Sequence, residues 1–261
     1  MAWINLVLFI SLFAPKTPLG SLDALDQSLV AYYSFNQCDA RDDSGNGSDG
    51  RMIGQVNCWC GIDDDGLLFD GIGAHLEFGG LVNNYFNTSD FTISFYFKNE
   101  GRNIFRQSML SKRSDCGDEH LLDIQLDQVH QKVKTEIREN EFKDYGDISP
   151  ELDGDGWHHF ALVREGTFAY TYINGTLIRT GRRCSGVDVS NTAKLNFANS
   201  PCIESGGARR FKGILDELRI YDRALSEQEV QQLYDAYPIE NAASDCYTFA
   251  PCHSSESSSN A

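Results

Sequence analysis

The sequence predicts an all-β fold, a two-sheet antiparallel jelly-roll sandwich with one short C-terminal helix, and three observations carry that prediction. Short runs of alternating apolar and polar residues recur at close spacing, clusters of Gly, Asn, Asp and Ser separate them, and helical periodicity is confined to one late stretch. With 261 residues, 41% of them hydrophobic and 11% aromatic, the chain has enough apolar material for one large core. Residues 21–240 are therefore read as a single domain. No internal repeat, G-x-G-x-x-G turn or Walker-type loop is present, which disfavours nucleotide-binding folds.

The elements follow in chain order. Residues 1–20 hold the apolar stretch 3–14, too short to span a bilayer, followed by Pro15, Pro18, Gly20 and Ser21; this reads as a secretory signal peptide. Residues 28–35 form an opening strand, and 39–50 (DARDDSGNGSDG) a tight loop dense in turn formers. Two short strands, 67–71 and 75–78, flank a glycine-rich turn in which Asp70 caps local N–H groups. The clearest strand is 91–98, with Phe91, Ile93, Phe95 and Phe97 on one side and Thr92, Ser94, Tyr96 and Lys98 on the other. Further strands are predicted at 108–112, 120–126, 133–139, 157–164 and 168–173. Asn174-Gly175 then turns the chain into 176–180, because both central residues of a two-residue hairpin loop need positive φ. A last strand covers 211–221. The helix after it starts at Ser226, whose spacing to Glu229 is that of a capping box, and buries Val230, Leu233 and Tyr234 before Pro238. Residues 241–261 read as a polar, Ser-rich tail.

A net charge of −16 opposes binding to nucleic acid or to an anionic membrane surface, and no membrane span is expected in the mature protein. Eight cysteines fit disulfides in an exported protein, with Cys184–Cys202 and Cys246–Cys252 as the expected pairs. Zinc is disfavoured, since Cys58-Trp59-Cys60 is not part of two C-x-x-C knuckles.

In strand 211–221, period-two alternation sets Asp216 with the core-facing Ile214, Leu218 and Ile220. An ionised carboxylate withdrawn from water must find a cation, a metal or several N–H donors. Tyr96 stands opposite the phenylalanine row of its own strand, so it is the expected exposed platform for a ligand, ahead of Trp157, Tyr170 and Tyr172. Retaining hydrolysis of glycosides needs two carboxyl groups about 5 Å apart, one acid and one nucleophile. In the run 136–141 (EIRENE), Arg138 and Asn140 occupy positions where acids are required. His158 and His159 lie on opposite faces of one strand and cannot converge on a metal. Asp63-Asp64-Asp65 reads as solvated loop, and of the sequons at Asn46, Asn87 and Asn174 the middle one is the best acceptor.

Several segments, in order, resemble the laminin-G-like, concanavalin A-like lectin/glucanase domains over residues 28–237. These are Ala31-Tyr32-Tyr33-Ser34-Phe35, Asp42-Asp43-Ser44-Gly45-Asn46-Gly47, Leu68-Phe69-Asp70-Gly71, Trp157-His158-His159-Phe160 with Asn174-Gly175, and Gly213 to Tyr221 with Ala224-Leu225-Ser226. The resemblance implies a jelly roll that binds glycans or other extracellular ligands, often with a structural Ca²⁺. It points to the early loop and the last strand, so Asp42 and Asp216 are the expected carboxylate ligands, with Asn46 completing the shell and Asp43 able to replace Asp42. The alternative is that these acids accept turn and backbone N–H groups. The expected protein is a secreted, non-catalytic module for a carbohydrate or other extracellular ligand. An adhesive protein-binding domain and a glycoside hydrolase are the alternatives.

Overall fold

The computed structural model describes residues 25–101, 104–182 and 187–242. The expected signal peptide, most of the tail, and Cys184, Cys246 and Cys252 lie outside them. Among the described residues, sixteen strands form two sheets, and their pairing is antiparallel except between the two-residue β15 and β7. The first sheet runs β13 (Thr176–Arg182), β12 (Phe168–Ile173), β11 (Trp157–Glu165), β6 (Phe91–Asn99), β16 (Lys212–Tyr221), β4 (Asp65–Asp70) and β3 (Asn57–Cys60), with β1 (Leu29–Tyr33) also paired to β16. The second runs β10 (Lys143–Ile148), β9 (Lys132–Asn140), β8 (Leu121–Asp127), β7 (Gln107–Lys112), β14 (Asn196–Phe197), β5 (His75–Phe78) and β2 (Gly50–Ile53), with β15 (Arg209–Arg210) on β7.

The alternation in β6 works as the sequence predicts: Phe91, Ile93, Phe95 and Phe97 are fully buried between the sheets. There they meet Phe160, Phe197 and Phe211 in tilted and edge-on contacts, such as Phe95–Phe160 at 5.2 Å and Phe95–Phe197 at 5.9 Å. Each such ring contributes about 1.5–3 kcal/mol by leaving water. The β12–β13 hairpin turns at Asn174 (φ 49°) and Gly175 (φ 70°), the conformation its two-residue loop requires. Ser226 caps the helix Glu227–Ala236 in a complete capping box with Glu229. This helix and the turn after it lie on the outer face of the first sheet, where Val230 and Leu233 pack on Ala161, Val163, Tyr172 and Tyr221.

Strand β16 departs from simple alternation. Its pairing with β6 slips between Asp216 and Arg219, and Glu217 takes φ 52°. This bulge inverts the phase of the side chains. Before it, Leu215 points into the core while Ile214 belongs to a cluster on the outer face; after it, Leu218 and Ile220 point inward. Asp216 therefore stands on the outer side with Ile214 and opposite Tyr96, not in the core-facing set. The bulge also marks a change of neighbours: β4 pairs as far as Leu215, and β1 begins at Leu218.

Among the described residues the disulfides are Cys38–Cys58 and Cys116–Cys202, and Cys60 is also disulfide-bonded. Cys202 thus bonds to a residue 86 positions away rather than to Cys184, because the fold brings the loop after β7 against the short helix Pro201–Glu204.

Candidate functional site

The outer face of the first sheet holds the acid that the sequence singled out. Asp216 is fully buried and accepts backbone N–H groups from Ile62 (2.7 Å), Asp63 (3.2 Å) and Glu217 (2.8 Å). The loop before β4 fills the gap at the bulge, and it comes so close that a Cβ on Gly61 would stand 2.2 Å from the Asp216 carboxylate. Burial raises the pKa of Asp216 well above the ordinary range, with Glu217 adding to the effect and the three amides opposing it. Next to it Glu217 forms an ion pair with Arg219 and receives the Tyr32 hydroxyl at 2.8 Å. The Arg219 guanidinium sits 4.1 Å from the Tyr32 ring centroid and 5.4 Å from that of Tyr237. Burial works against the Arg219 charge, but the Glu217 carboxylate together with Tyr32, Tyr237 and Tyr221 outweighs it and holds the pKa above its usual value.

Tyr96 is on this outer face, as its parity predicts, yet it is only 1% exposed and is not a platform for a ligand. Its hydroxyl donates to the carbonyls of Leu233 and Tyr234, so the C-terminal helix has closed over it. His159 lies beside it at 4.7 Å between ring centroids and hydrogen-bonds Ser94 at 2.8 Å. Burial, reinforced by Arg219, pulls the His159 pKa down to about 3, so it stays neutral. His158 faces the other way, onto Phe97.

The expected calcium ligands are not gathered into one donor set. Asp42 accepts N–H groups from Tyr32 (3.1 Å), Ser44 (3.1 Å) and Ser48 (2.9 Å) as well as the Ser44 hydroxyl. Asp43 accepts the N–H and hydroxyl of Ser34, and the Asn46 amide donates to the Leu29 carbonyl. Together these contacts tie the loop to β1, while Asp216 is held by a different loop. Among the described residues, the one group of three Cys, His, Asp or Glu donors close enough to share an ion is Cys38, Cys58 and Asp65, and its two cysteines are joined to each other. The early acids thus act as turn acceptors in this arrangement, which does not fit a single Ca²⁺ shared with the last strand. Asp70 also caps, taking the N–H groups of Ile72, Gly73 and Ala74.

The outer face of the second sheet is different. Along β9, Val133, Thr135 and Ile137 are buried while Lys134, Glu136, Arg138 and Asn140 alternate with them on the outer side, partly exposed. Glu136 pairs with Lys134 at 2.9 Å and Arg138 at 3.5 Å. Directly across from Glu136 on β8 is Asp123, which is 1% exposed because Arg113 reaches over it, with Nη1 at 2.9 Å, and binds the loop carbonyls of Asp115 and Gly117. Burial raises the Asp123 pKa, and Arg113 opposes the rise. Between this loop and the β9–β10 turn lies a cleft of about 750 Å³, lined by Asp115, Asp118, Glu119, Arg138, Asn140, Glu141 and Phe142. Arg138 crosses to Asp118 at 3.4 Å, and Phe142 is 85% exposed at the turn. Glu139 accepts the Asp188 N–H and the Lys143 ammonium. Sequence reasoning found the alternation of β9 but not the cleft, because the 115–119 loop forms its other wall only through the fold.

The same sandwich occurs in solved structures. The binding domain of Paraclostridial Mosquitocidal Protein 1 superposes with a TM-score of 0.67 at 20% identity, over 82% of this chain and 53% of that one. The binding domain of botulinum neurotoxin DC, solved in complex with rat synaptotagmin II, gives 0.63 at 15% identity, over 81% and 52%. Domain 4 of AbnA, a GH43 extracellular arabinanase from Geobacillus stearothermophilus, in complex with arabinotriose, gives 0.60 at 20% identity, over 79% and 98%. The chain spans about half the length of the first two chains, and at these identities the likeness carries the fold alone. No curated protein sequence matches it. Residues 70–231, well over half of the length, match the family model of the concanavalin A-like lectin/glucanases superfamily, and the chain belongs to that superfamily.

Proposed function

We propose that this protein is a non-catalytic binding module that acts outside the cell and takes a glycan on the outer face of its second sheet. The observation that carries this reading is the contrast in cover: the helix lies over Tyr96 and the middle of the first face, whereas the second leaves Glu136, Arg138 and Asn140 beside an open cleft. Their ion pairs fix donors and acceptors in place before a ligand arrives, so hydroxyl groups meet pre-oriented partners and little ordering remains to be done. Phe142 offers an exposed ring to the apolar face of a sugar. Glu136 is bound by two cations and Asp123 is sealed, which supports binding rather than hydrolysis. Disulfides between distant residues support an oxidising, extracellular setting.

A glycan array probed with the purified chain, with and without Ca²⁺, tests this reading. Retention of at least one glycan is expected, with Arg138→Ala lowering it about tenfold or more while leaving the unfolding temperature in place. No sugar retained at any concentration moves the assignment to a protein ligand.

A further inference from the structure

A second groove, of about 360 Å³, lies on the opposite face between the β12–β13 hairpin and the start of the C-terminal helix. Tyr170, Tyr172, Leu177 and Leu225 line it, and Glu165 and Glu227 stand exposed at its rim. Glu229 also lines it but is committed to Arg223 at 2.7 Å and to the capping box. Among the residues whose side chains are described, no Lys, Arg or His forms an ion pair with Glu165 or Glu227, and Glu165 accepts the Tyr170 hydroxyl. The positive end of the helix opens toward the same groove, and Glu227 and Glu229 in its first turn offset it. Burial first, then the Glu227 charge, pushes the Tyr172 hydroxyl up to about 12, in keeping with a negative local field.

An accessible tyrosine ring beside two exposed carboxylates is complementary to a ligand that is apolar on one face and positively charged on the other. We propose that this groove binds an amino sugar whose nitrogen is not acylated, the pyranose ring lying against the half-buried Tyr170 and Leu177 and the ammonium group meeting Glu165 and Glu227. N-acylation removes the charge that those carboxylates complement, and uronic or sialic acids are repelled. A lysine side chain satisfies the carboxylates but leaves the Tyr170 ring covered only by a slim methylene chain. This site is independent of the cleft on the second sheet.

Isothermal titration of the full chain with fully deacetylated chitotriose, with its N-acetylated counterpart and with Nα-acetyl-lysine amide tests the proposal. The deacetylated trimer is expected to bind about tenfold or more tightly than either of the others. Tyr170→Ala, Glu227→Gln and Glu165→Gln are each expected to weaken it by a similar factor, Tyr170→Phe to retain it, and Arg51→Ala, exposed on the other sheet and outside both clefts, to leave it unchanged. Glu165 is outside the helix, so its variant reads the charge without disturbing the helix cap. Equal affinity for the two trimers, or lysine amide binding as tightly as the deacetylated trimer, overturns the proposal.

Discussion

The two outer faces of the sandwich are made of strands with the same alternation, yet the middle of the first is covered by the C-terminal helix and the 61–63 loop while the second carries no such cover. On the first, Tyr96, His159, Asp216 and Arg219 point away from the core and still end up buried, under the C-terminal helix and the 61–63 loop. On the second, Lys134, Glu136 and Arg138 also point away from the core and remain in contact with solvent. The comparison teaches that parity assigns a side chain to a face, while a later segment of the chain decides whether that face is structural or available.

The sharpest way to break this comparison is to remove one cation from each face. Arg219→Ala leaves the buried Glu217 carboxylate without its partner and is expected to lower stability by about 3–5 kcal/mol in urea unfolding. Arg138→Ala, at a pair with a largely exposed Asp118, is expected to change it by less than about 1 kcal/mol. Equal losses would mean that the second face is as structural as the first. Gly61→Ala probes the loop that seals the bulge: the added carbon meets the Asp216 carboxylate at 2.2 Å and the Asp65 backbone at 2.8 Å, for an expected loss of about 1–3 kcal/mol.

A smaller effect comes from the helix that covers the middle of the first face. The hydrogen bond from Arg223, helped by the Ser226 N–H and hydroxyl, lowers the Glu229 pKa from 4.5 to about 2. A carboxylate with a depressed folded pKa stabilises fully above its unfolded value. That contribution is therefore present above pH 4.5 and lost as pH falls toward 2. Glu229→Gln should lower the unfolding temperature at pH 6 and flatten its decline over this acidic range. The smallest effect is expected from calcium: with the Asp42 and Asp216 oxygens already receiving N–H and O–H donors, added Ca²⁺ or EDTA should leave the unfolding temperature unchanged. A marked rise with Ca²⁺ would show that the early loop reorganises around an ion.

The local signals were readable in the sequence. The Asn174-Gly175 turn, the Ser226–Glu229 capping box and the phenylalanine row of β6 each depend on residues a few positions apart, and each forms as its spacing predicts. The departures arise from contacts between distant residues. Nothing near Glu217 announces its bulge, which becomes necessary where β16 exchanges β4 for β1, and one inserted residue was enough to place Asp216 on the other face. Tyr96 was assigned to the correct face, but its cover comes from a helix 137 residues later in the chain. The Cys116–Cys202 pair and the second wall of the cleft are likewise products of the tertiary fold.

That same pair has a further consequence. Cys116 belongs to the loop whose Asp115, Gly117 and Asp118 form one side of the cleft, and its bond anchors this side to the short helix Pro201–Glu204. Reduction would let the rim slacken while both sheets stay paired, so the grip on a ligand would weaken well before the sandwich melts, and the module would hold its target firmly only in oxidising surroundings.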